Sequence, residues 1–316
     1  MNTPPSRPTR VLVLGTGAMA CAVGARVARF GRAAVTLAGT WEAALDTIAA
    51  RGIVVEEPAA VWSAKVDVAP LAGPFGPVDV VLVLVKSHRT AAVARTAARA
   101  LLPESIAVTL QTGLGNVETL EAACGQGRVA VGVATLAAHL LGPGEVRVSP
   151  GRVVVGDGAA GASRLIDLLA AARLEPEVSA GIDRFAWSRL AVACAIDPLS
   201  ALTGRPIGTL LEVPEPCDTL LKSAREVGAV ALARGIDLGD PASLAVEAAE
   251  SSAARRSAMS HDLDRGALTE VDAQSGAVGL EGRRLGVPTP VNDYLWQRIR
   301  EKEGRPVRLP AGPAPS

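Results

Sequence analysis

The chain has 316 residues, of which 49% are hydrophobic, so it is long enough for two domains that each bury a core. It carries 32 basic and 32 acidic residues, and no cluster of lysine and arginine forms a continuous stripe. This balance argues against nucleic acids and anionic membrane surfaces as partners, and leaves a small molecule as the expected partner.

Both ends of the chain, residues 1–9 and 304–316, lack an apolar period, which predicts flexible segments. The N-terminal residues do not follow the pattern of a signal peptide, and no apolar run reaches the roughly 18 residues of a membrane span. The four cysteines are scattered, without the spacing of a disulfide framework or a zinc site. These features predict a cytoplasmic protein with reduced, mostly buried thiols and no metal.

Short β-branched runs alternate with helical stretches between residue 10 and about residue 175. The runs are RVLVLG, AAVTLAG, VDVVLVLV, SIAVTLQ, RVAVGVATL and VRVSPGRVVVG. Continuous apolar runs of this length are typical of strands that are covered on both faces. They predict an α/β domain over residues 10–180, built on a Rossmann-like, doubly wound parallel sheet.

The strand pattern ends near residue 181, and helical spacing of apolar residues follows. The predicted helices cover residues 183–203, 209–236 with a break near EVPEPCD, 241–264, 270–286 and 287–303. Residues 181–303 are therefore predicted to form a second, all-α domain for the substrate. Dimerisation through this helical domain, giving a homodimer, is a further expectation.

A glycine-rich turn joins the first strand to the first helix, with Gly15, Gly17 and Ala20 in the G-x-G-x-x-G/A pattern. The first glycine permits the turn, the second lets a pyrophosphate approach, and the small third residue allows close helix packing. The context of a preceding strand and a following helix predicts dinucleotide binding; the alternative is a tight turn without a ligand. The predicted cofactor-binding residues of this turn are Gly15, Thr16, Gly17, Ala18, Met19 and Ala20.

The choice of cofactor is read at the end of the second strand. An NAD enzyme usually has an aspartate or glutamate there, whereas this chain has Ala38, Gly39 and Thr40. The missing carboxylate favours NADPH, although no arginine stands in that loop to bind a 2′-phosphate. Thr40 is a candidate for that phosphate, and the alternative is that it caps the next helix.

Three further motifs follow the glycine loop in order: LVKSHRT, LQTGLGN, and the pair WSRLAVACAIDPLSALTGRPIG and RSAMSHDLDRGALTEVDAQSGAVGLEGRRLGVPTPVN. Together they resemble the ketopantoate reductase (2-dehydropantoate 2-reductase) family, from residue 10 to about residue 303. The resemblance implies NADPH-dependent reduction of a 2-oxo acid. It also implies that Lys86 and Glu270 lie at the cofactor, together with Thr112, which replaces the asparagine of the L-Q-N-G phrase.

The positions that the resemblance assigns to the substrate differ from the family pattern. Arg189 replaces the general-acid lysine of the W-x-K-L phrase. A buried lysine can give up a proton, whereas arginine, with a pKa above about 12, cannot, although its fork of donors binds carboxylates and oxyanions. The implied substrate contacts are Arg189, Ala193, Asp197, Ile207 and Ala258. In the family pattern, asparagine stands at the positions of Ala193, Asp197 and Ile207, and serine at the position of Ala258.

Arg189, Ala193 and Asp197 follow i, i+4, i+8 spacing, so they share one helix face with the two charges about 12 Å apart. That separation is too wide for an ion pair but suits a substrate. Asp197 precedes Pro198, so the alternative is that it caps a short helix ending at Gly204. The alternative for Arg189 is a surface ion pair.

Two further residues complete the predicted catalytic set with Arg189 and Asp197. Lys86 follows a buried strand at its C-terminal end and is the predicted substitute proton donor. Glu270 is expected at the reaction site as well as at the cofactor, and its alternative role is a charge at a helix N-terminus.

The leading hypothesis is an NADPH-dependent reductase of a carbonyl or imine compound other than ketopantoate. A pocket in which Asp197 faces apolar positions would suit a cationic amine or iminium better than a polyhydroxylated acid. One alternative is a genuine 2-dehydropantoate 2-reductase in which arginine replaces the catalytic lysine. The other is a dinucleotide-binding protein with lost or non-redox activity.

Overall fold

A computed structural model gives the fold and describes residues 7–158 and 162–307. The described chain forms two compact units, one from residues 7–111 and Asn116–Ile182, the other from Thr112–Gly115 and residues 183–307. The helices of the first unit are α1 (Ala18–Arg29), α2 (Glu42–Arg51), α3 (Thr90–Ala100), α4 (Asn116–Cys124) and α5 (Ala162–Ala171). Its strands are β1 (Arg10–Leu14), β2 (Ala34–Gly39), β3 (Ile53–Glu57), β4 (Ala60–Ala64), β5 (Asp67–Pro70), β6 (Val78–Val83), β7 (Leu101–Thr109), β8 (Val129–Ala134), β9 (Ala137–Gly142), β10 (Glu145–Ser149), β11 (Val153–Gly156) and β12 (Pro176–Ser179).

The main sheet of the first unit has eight strands in the order β12-β11-β8-β7-β6-β1-β2-β5. Every neighbouring pair is parallel except β11 and β8. Alternate residues of β1 enter different cores: Val11 and Val13 pack with α1, whereas Leu12 and Leu14 pack with α3. Helices therefore cover both faces of the sheet, and the predicted α/β class is confirmed.

A second sheet of four strands, in the order β4-β3-β10-β9, was not predicted. Its inward residues Val55, Val146 and Val148 belong to the same core as α1. The run VRVSPGRVVVG, predicted as one strand, is divided between β10 of this sheet and β11 of the main sheet. Gly151 lies at the turn between them, where a Cβ atom would approach the Leu136 backbone nitrogen to 2.3 Å.

The second unit is helical. Its elements are α6 (Ile182–Thr203), α7 (Thr209–Glu212), α8 (Pro214–Ala233), α9 (Pro241–Ser251), α10 (Ala258–Asp264), a π-helical turn (Asp272–Gly276), α11 (Ala277–Leu285) and α12 (Pro290–Lys302). The helix predicted over 241–264 is two helices, because the intervening backbone turns to pair with another loop: Ile207 N donates to Arg255 O at 2.8 Å. The Ser257 hydroxyl then caps α10 by accepting from Ser260 N at 3.1 Å.

Helix α6 runs without a break through Pro198, so the alternative in which Asp197 caps a new helix is wrong. Proline has no N–H to donate to the carbonyl four residues earlier, which is that of Cys194. The Ser223 hydroxyl of α8 lies 3.1 Å from this carbonyl oxygen and 3.2 Å from Asn292 Oδ1, so its proton is placed to be shared between the two acceptors. A tertiary contact thereby satisfies the carbonyl. The helix ends as expected before Gly204, whose φ is +69°.

Helix α6 also corrects the expectation that no apolar run is long enough to span a membrane. By length and composition alone its 22 residues would pass, with a mean hydropathy of 1.2. However, 61% of that window is buried within the protein, as in the core helix of a folded domain. The helix is therefore weak evidence for a membrane span.

The described parts of the two predicted flexible ends make specific contacts. The Arg7 guanidinium donates to both carboxylate oxygens of Asp79 at 2.8 Å. Arg305 pairs with Asp272 at 2.7 Å and with Glu303 at 3.0 Å. These ion pairs anchor residues that have no apolar period, while residues 1–6 and 308–316 lie outside the described residues.

The cysteines are free thiols, and three of them are buried, as the scattered spacing predicts. Burial raises the pKa of the Cys21 thiol to about 12. Because the thiolate is the reactive form, this thiol is chemically quiet near neutral pH.

The contact at Pro198 gives a prediction of stability. Ser223→Ala leaves the buried Cys194 carbonyl without its donor, so we expect the free energy of unfolding to fall by about 1–3 kcal/mol. Ser251→Ala is the matched control, because Ser251 is exposed and its hydroxyl donates to Ala248 O within α9. Urea unfolding of the three proteins measures the difference, and equal midpoints for both variants would contradict this role of Ser223.

Candidate active site

The turn between β1 and α1 requires glycine at position 15. Gly15 has φ +132°, and its backbone N–H donates to Ala38 O at 2.8 Å. A Cβ atom on Gly15 would lie 2.8 Å from the carbonyl oxygen of Leu84. The residue therefore joins the ends of three neighbouring strands, and no side chain fits there.

Gly17 is different, because the space beside it is open. It occupies the N-cap position of α1 with ordinary backbone angles, and no heavy atom lies within 4 Å of the place of a Cβ atom. The start of α1 has no side-chain cap and no acidic residue in its first turn. Free N–H groups beside open space fit a dinucleotide pyrophosphate. Ala20 is fully buried in the core below, as close helix packing requires.

A cavity of about 530 Å³ opens at the end of β2. It is lined in part by Gly39, Thr40, Pro70, Leu71, Ala92 and Arg99. Thr40 does not cap the next helix, because Trp41 holds the N-cap position of α2; that alternative is wrong. Instead the Thr40 hydroxyl accepts a hydrogen bond of 2.6 Å from Arg89 Nη1.

Arg89 thus supplies the guanidinium that the loop after β2 lacks. It stands in the LVKSHRT motif after β6, whereas the sequence pattern indicated the loop after β2 as the place for such an arginine. Strands β2 and β6 lie on either side of β1 and run parallel to it, so the loops that follow them leave the same edge of the sheet and meet there. An exposed arginine beside a hydroxyl is suited to binding a phosphate monoester.

A polar network holds the loop that carries Lys86. Gln111 Nε2 donates to Val85 O at 2.7 Å and to Thr90 Oγ1 at 2.8 Å. The Thr90 hydroxyl in turn donates to Asn116 Oδ1 at 2.9 Å. Because Gln111 holds the Val85 carbonyl before it and the Thr90 side chain after it, the half-buried Lys86 side chain starts from a fixed point at the carboxyl end of the sheet.

In the helical unit, Arg189 is half-buried on α6. Its Nε atom is fully buried and has no hydrogen-bond partner among residues 7–158 and 162–307. Burial lowers the pKa of the Arg189 guanidinium, whereas Asp197 raises it and Arg255 lowers it. An arginine remains protonated despite such a shift. Arg189 is thus a cation with unused hydrogen-bonding capacity.

Asp197 lies two helical turns further along α6, and tertiary contacts fix its position. Its carbonyl oxygen accepts from the Ser257 hydroxyl at 3.1 Å, and its carboxylate accepts from Gln274 Nε2 at 3.4 Å. Gln274 is 4% exposed and belongs to the π-helical turn, with φ −98° and ψ −107° inside it. Sequence reasoning missed Gln274, although it stands in the quoted EVDAQSG phrase.

The other predicted substrate contacts differ in exposure. Ala193 and Ile207 are buried, and Ile207 packs in an apolar core with Leu199 and Leu210. Ala258 is exposed at the start of α10. The hydrogen bonds of Ile207 N and the Ser257 hydroxyl nevertheless bring the segments of Asp197, Ile207 and Ala258 together within this unit.

Thr112 belongs to a short segment that packs with the helical unit. Leu114 N donates to Ala273 O at 2.9 Å, and Gly113 has φ +125° with no room for a Cβ atom against the same carbonyl. The carbonyl of Glu270 accepts from Ala273 N at 3.0 Å. The structure thus brings the backbone of the Thr112 segment close to the turn that follows Glu270, and Glu270 does precede a helical turn.

A glycine turn at the end of a mainly parallel sheet, followed by a helical unit, is typical of two-unit dinucleotide-dependent oxidoreductases. Family models agree: "Ketopantoate reductase PanE/ApbA" matches residues 11–160, and its C-terminal model matches residues 182–303. The 2-dehydropantoate 2-reductase of Halobacterium salinarum is 31% identical over 298 residues, covering 92% of this chain and 98% of that protein.

Solved structures agree with this match. The PanE/ApbA family ketopantoate reductase from Ralstonia eutropha JMP134 is 31% identical, with a TM-score of 0.86 over 94% of this chain and 99% of that one. A D-mandelate dehydrogenase in complex with NADH and anilino(oxo)acetate shares the fold, with a TM-score of 0.87 and 22% identity over 94% and 99% of the two chains. The chain belongs to the ketopantoate reductase family, and is a 2-dehydropantoate 2-reductase-like oxidoreductase.

Replacement by alanine is expected to affect cofactor binding at Gly17 and stability at Gly15. Gly17→Ala should change the free energy of unfolding by no more than about 1 kcal/mol, because its Cβ meets no atom, but should weaken dinucleotide binding by filling the approach to the backbone. Gly15→Ala should destabilise by about 1–3 kcal/mol, because it is strained at a positive φ. Thermal unfolding and cofactor titration separate the two effects; unweakened cofactor binding by Gly17→Ala would refute the assignment.

Proposed function

We propose that the protein is an NADPH-dependent reductase of a carbonyl or imine compound other than ketopantoate. The observation that carries this proposal is Arg189, which stands in the place of the family's general-acid lysine and has a buried Nε atom without a partner in the described chain. Because arginine does not give up a proton near neutral pH, residue 189 binds or stabilises an anionic group instead.

The residues fit a dinucleotide with a 2′-phosphate. Gly17 and the start of α1 would hold the pyrophosphate, and Arg89 with Thr40 would hold the 2′-phosphate. When bound, the reduced nicotinamide supplies a hydride to the substrate carbon. The D-mandelate dehydrogenase described with NADH shows that this fold also takes the other cofactor form, so both forms belong in the test.

The proposed catalytic roles follow from the charge of each group. Arg189 binds a carboxylate or a developing oxyanion through its donors. Lys86 takes over as proton donor, because its ammonium carries protons that can be released. Glu270 accepts hydrogen bonds from the cofactor ribose, and Asp197 faces the substrate as a fixed anionic group.

Replacement of Arg89 tests the cofactor assignment. Arg89→Met should weaken NADPH binding about tenfold or more, since a charge-assisted hydrogen bond to the phosphate is lost, and leave NADH binding almost unchanged. Arg95→Met is the matched control, because Arg95 is an exposed arginine of α3 that does not share the hydrogen bond of Arg89 to Thr40. Fluorescence titration with both dinucleotides gives the result, and a parallel loss for NADPH and NADH would contradict the role of Arg89.

The substrate proposal is tested by NADPH consumption with ketopantoate and with a panel of other carbonyl and imine compounds. We expect slow turnover of ketopantoate and faster turnover of at least one other compound. Efficient reduction of ketopantoate would establish the family's usual activity with arginine in the lysine position. Clear NADPH binding without consumption on any compound would indicate a protein that has lost hydride transfer.

Arg189→Lys tests the role of residue 189 through pH. The variant places an ionisable group in a half-buried site, where burial lowers the pKa of a lysine below its usual value of about 10.4. If this lysine serves as the acid, its active form is protonated, so turnover should decline as pH rises through its pKa. The wild type has no such group at residue 189. Identical pH profiles would show that residue 189 does not exchange protons with the substrate in either protein.

A further inference from the structure

The Asp197 end of the α6 face presents two hydrogen-bond acceptors. Gln274 Nε2 donates to the Asp197 carboxylate at 3.4 Å, which orients the amide so that its oxygen is the remaining acceptor. That oxygen, Oε1, is buried and has no partner within residues 7–158 and 162–307. Gln274 itself is 4% exposed, and the irregular π-helical turn fixes its backbone. A buried acceptor of this kind calls for a donor.

The Arg189 end of the same face presents donors. Its Nε is buried without a partner among the described residues, and Arg255 adds a second positive charge that lowers the Arg189 pKa. Ala193, between the two ends, has no polar group and a short side chain. The face therefore changes from cationic to anionic over about 12 Å of helix, at 1.5 Å per residue.

We propose that the substrate is a zwitterion, an ω-amino-2-oxo acid, with its carboxylate on Arg189 and its cationic nitrogen between Asp197 and Gln274 Oε1. This inference rests on the proposed function and names its substrate class. An ammonium group has three N–H donors, which match the carboxylate and amide oxygens, whereas a neutral alkyl end would leave Gln274 Oε1 buried and unpaired.

The substrate then lies along the helix face with several methylene groups between its two charged ends. The apolar Ala193 suits those methylene groups, and it would offer nothing to a hydroxyl at that place. A fixed carboxylate attracts a cationic substrate and disfavours a neutral analogue of the same length.

Product analogues test this inference without turnover. The probes are ω-amino-2-hydroxy acids with chains of four, five and six carbons, each paired with the 2-hydroxy acid in which a methyl group replaces the ammonium. Calorimetry measures their binding to the complex of the full chain with NADP⁺. At one chain length or more, we expect the amino probe to bind about tenfold or more tightly than its methyl partner, as for a charge-assisted hydrogen bond.

Variants locate the preference. Asp197→Asn should abolish it while keeping the shape of the side chain, and Asp218→Asn, which removes an exposed charge on α8, should not. Gln274→Met should weaken binding of the amino probe and leave the methyl probe unchanged, whereas a merely structural role would weaken both. If Gln274→Met does not fold, Gln274→Asn replaces it; the shorter side chain withdraws the amide oxygen and should likewise weaken binding of the amino probe alone.

Equal binding of the paired probes, or no binding of any amino probe, would overturn the inference. So would a preference that survives in Asp197→Asn. NADPH binding and its consumption with neutral 2-oxo acids are measured on the same preparation. If these succeed while the charge preference is absent, the zwitterion inference fails alone; if NADPH does not bind, the proposed function fails as well.

Discussion

The structure of the first unit depends on one steric constraint, the absence of a side chain at Gly15. Three strands, β2, β1 and β6, end side by side there, with Gly15 N bonded to Ala38 O and Leu84 N bonded to Leu14 O. A Cβ atom would collide with the Leu84 carbonyl, so only glycine lets the chain turn into α1 at this point. This turn determines where α1 begins, and hence where its free N–H groups point. The loops after β2 and β6 come together at the same edge, which explains why Thr40 is hydrogen-bonded to Arg89, 49 positions away.

The fold was predictable where burial is complete and not where it is partial. Strands such as β1 and β6 are buried on both faces and read as continuous apolar runs. In contrast, β4 and β9 are half-exposed, carry Ser63 and His139, and belong to a small sheet covered on one face. Val61 is the one β-branched residue in these two strands, so the β-branched runs that predicted the buried strands do not mark them. Arg89 was missed for a different reason. Its motif was visible, but its contact with Thr40 depends on strand order, which the order of residues along the chain does not specify.

Helix α6 shows how a correct local pattern is overridden by tertiary structure. Aspartate followed by proline is a good helix start, because the proline ring suits the first helical position. Here the helix had already begun at Ile182, and the cost of an internal proline is reduced because Ser223 replaces the missing donor. The consequence for the site is large. A cap would have engaged the Asp197 carboxylate with its own backbone, whereas the continuous helix leaves that carboxylate on the same face as Arg189, in contact with Gln274.

The substitutions on this face are easier to understand together than one by one. Replacing lysine by arginine removes an exchangeable proton but keeps the positive charge, and replacing asparagine by aspartate keeps the shape but adds a negative charge. The first replacement leaves the net charge of the face unchanged, whereas the second adds an anion two helical turns away from the cation. Asp197 raises the pKa of Arg189, so the negative and positive charges of this face stabilise each other. A face with two separated, mutually stabilising charges favours a ligand that carries the opposite charges in the opposite order. The family's neutral asparagines could not make that distinction, and this difference is the basis of the proposal that the substrate is not ketopantoate.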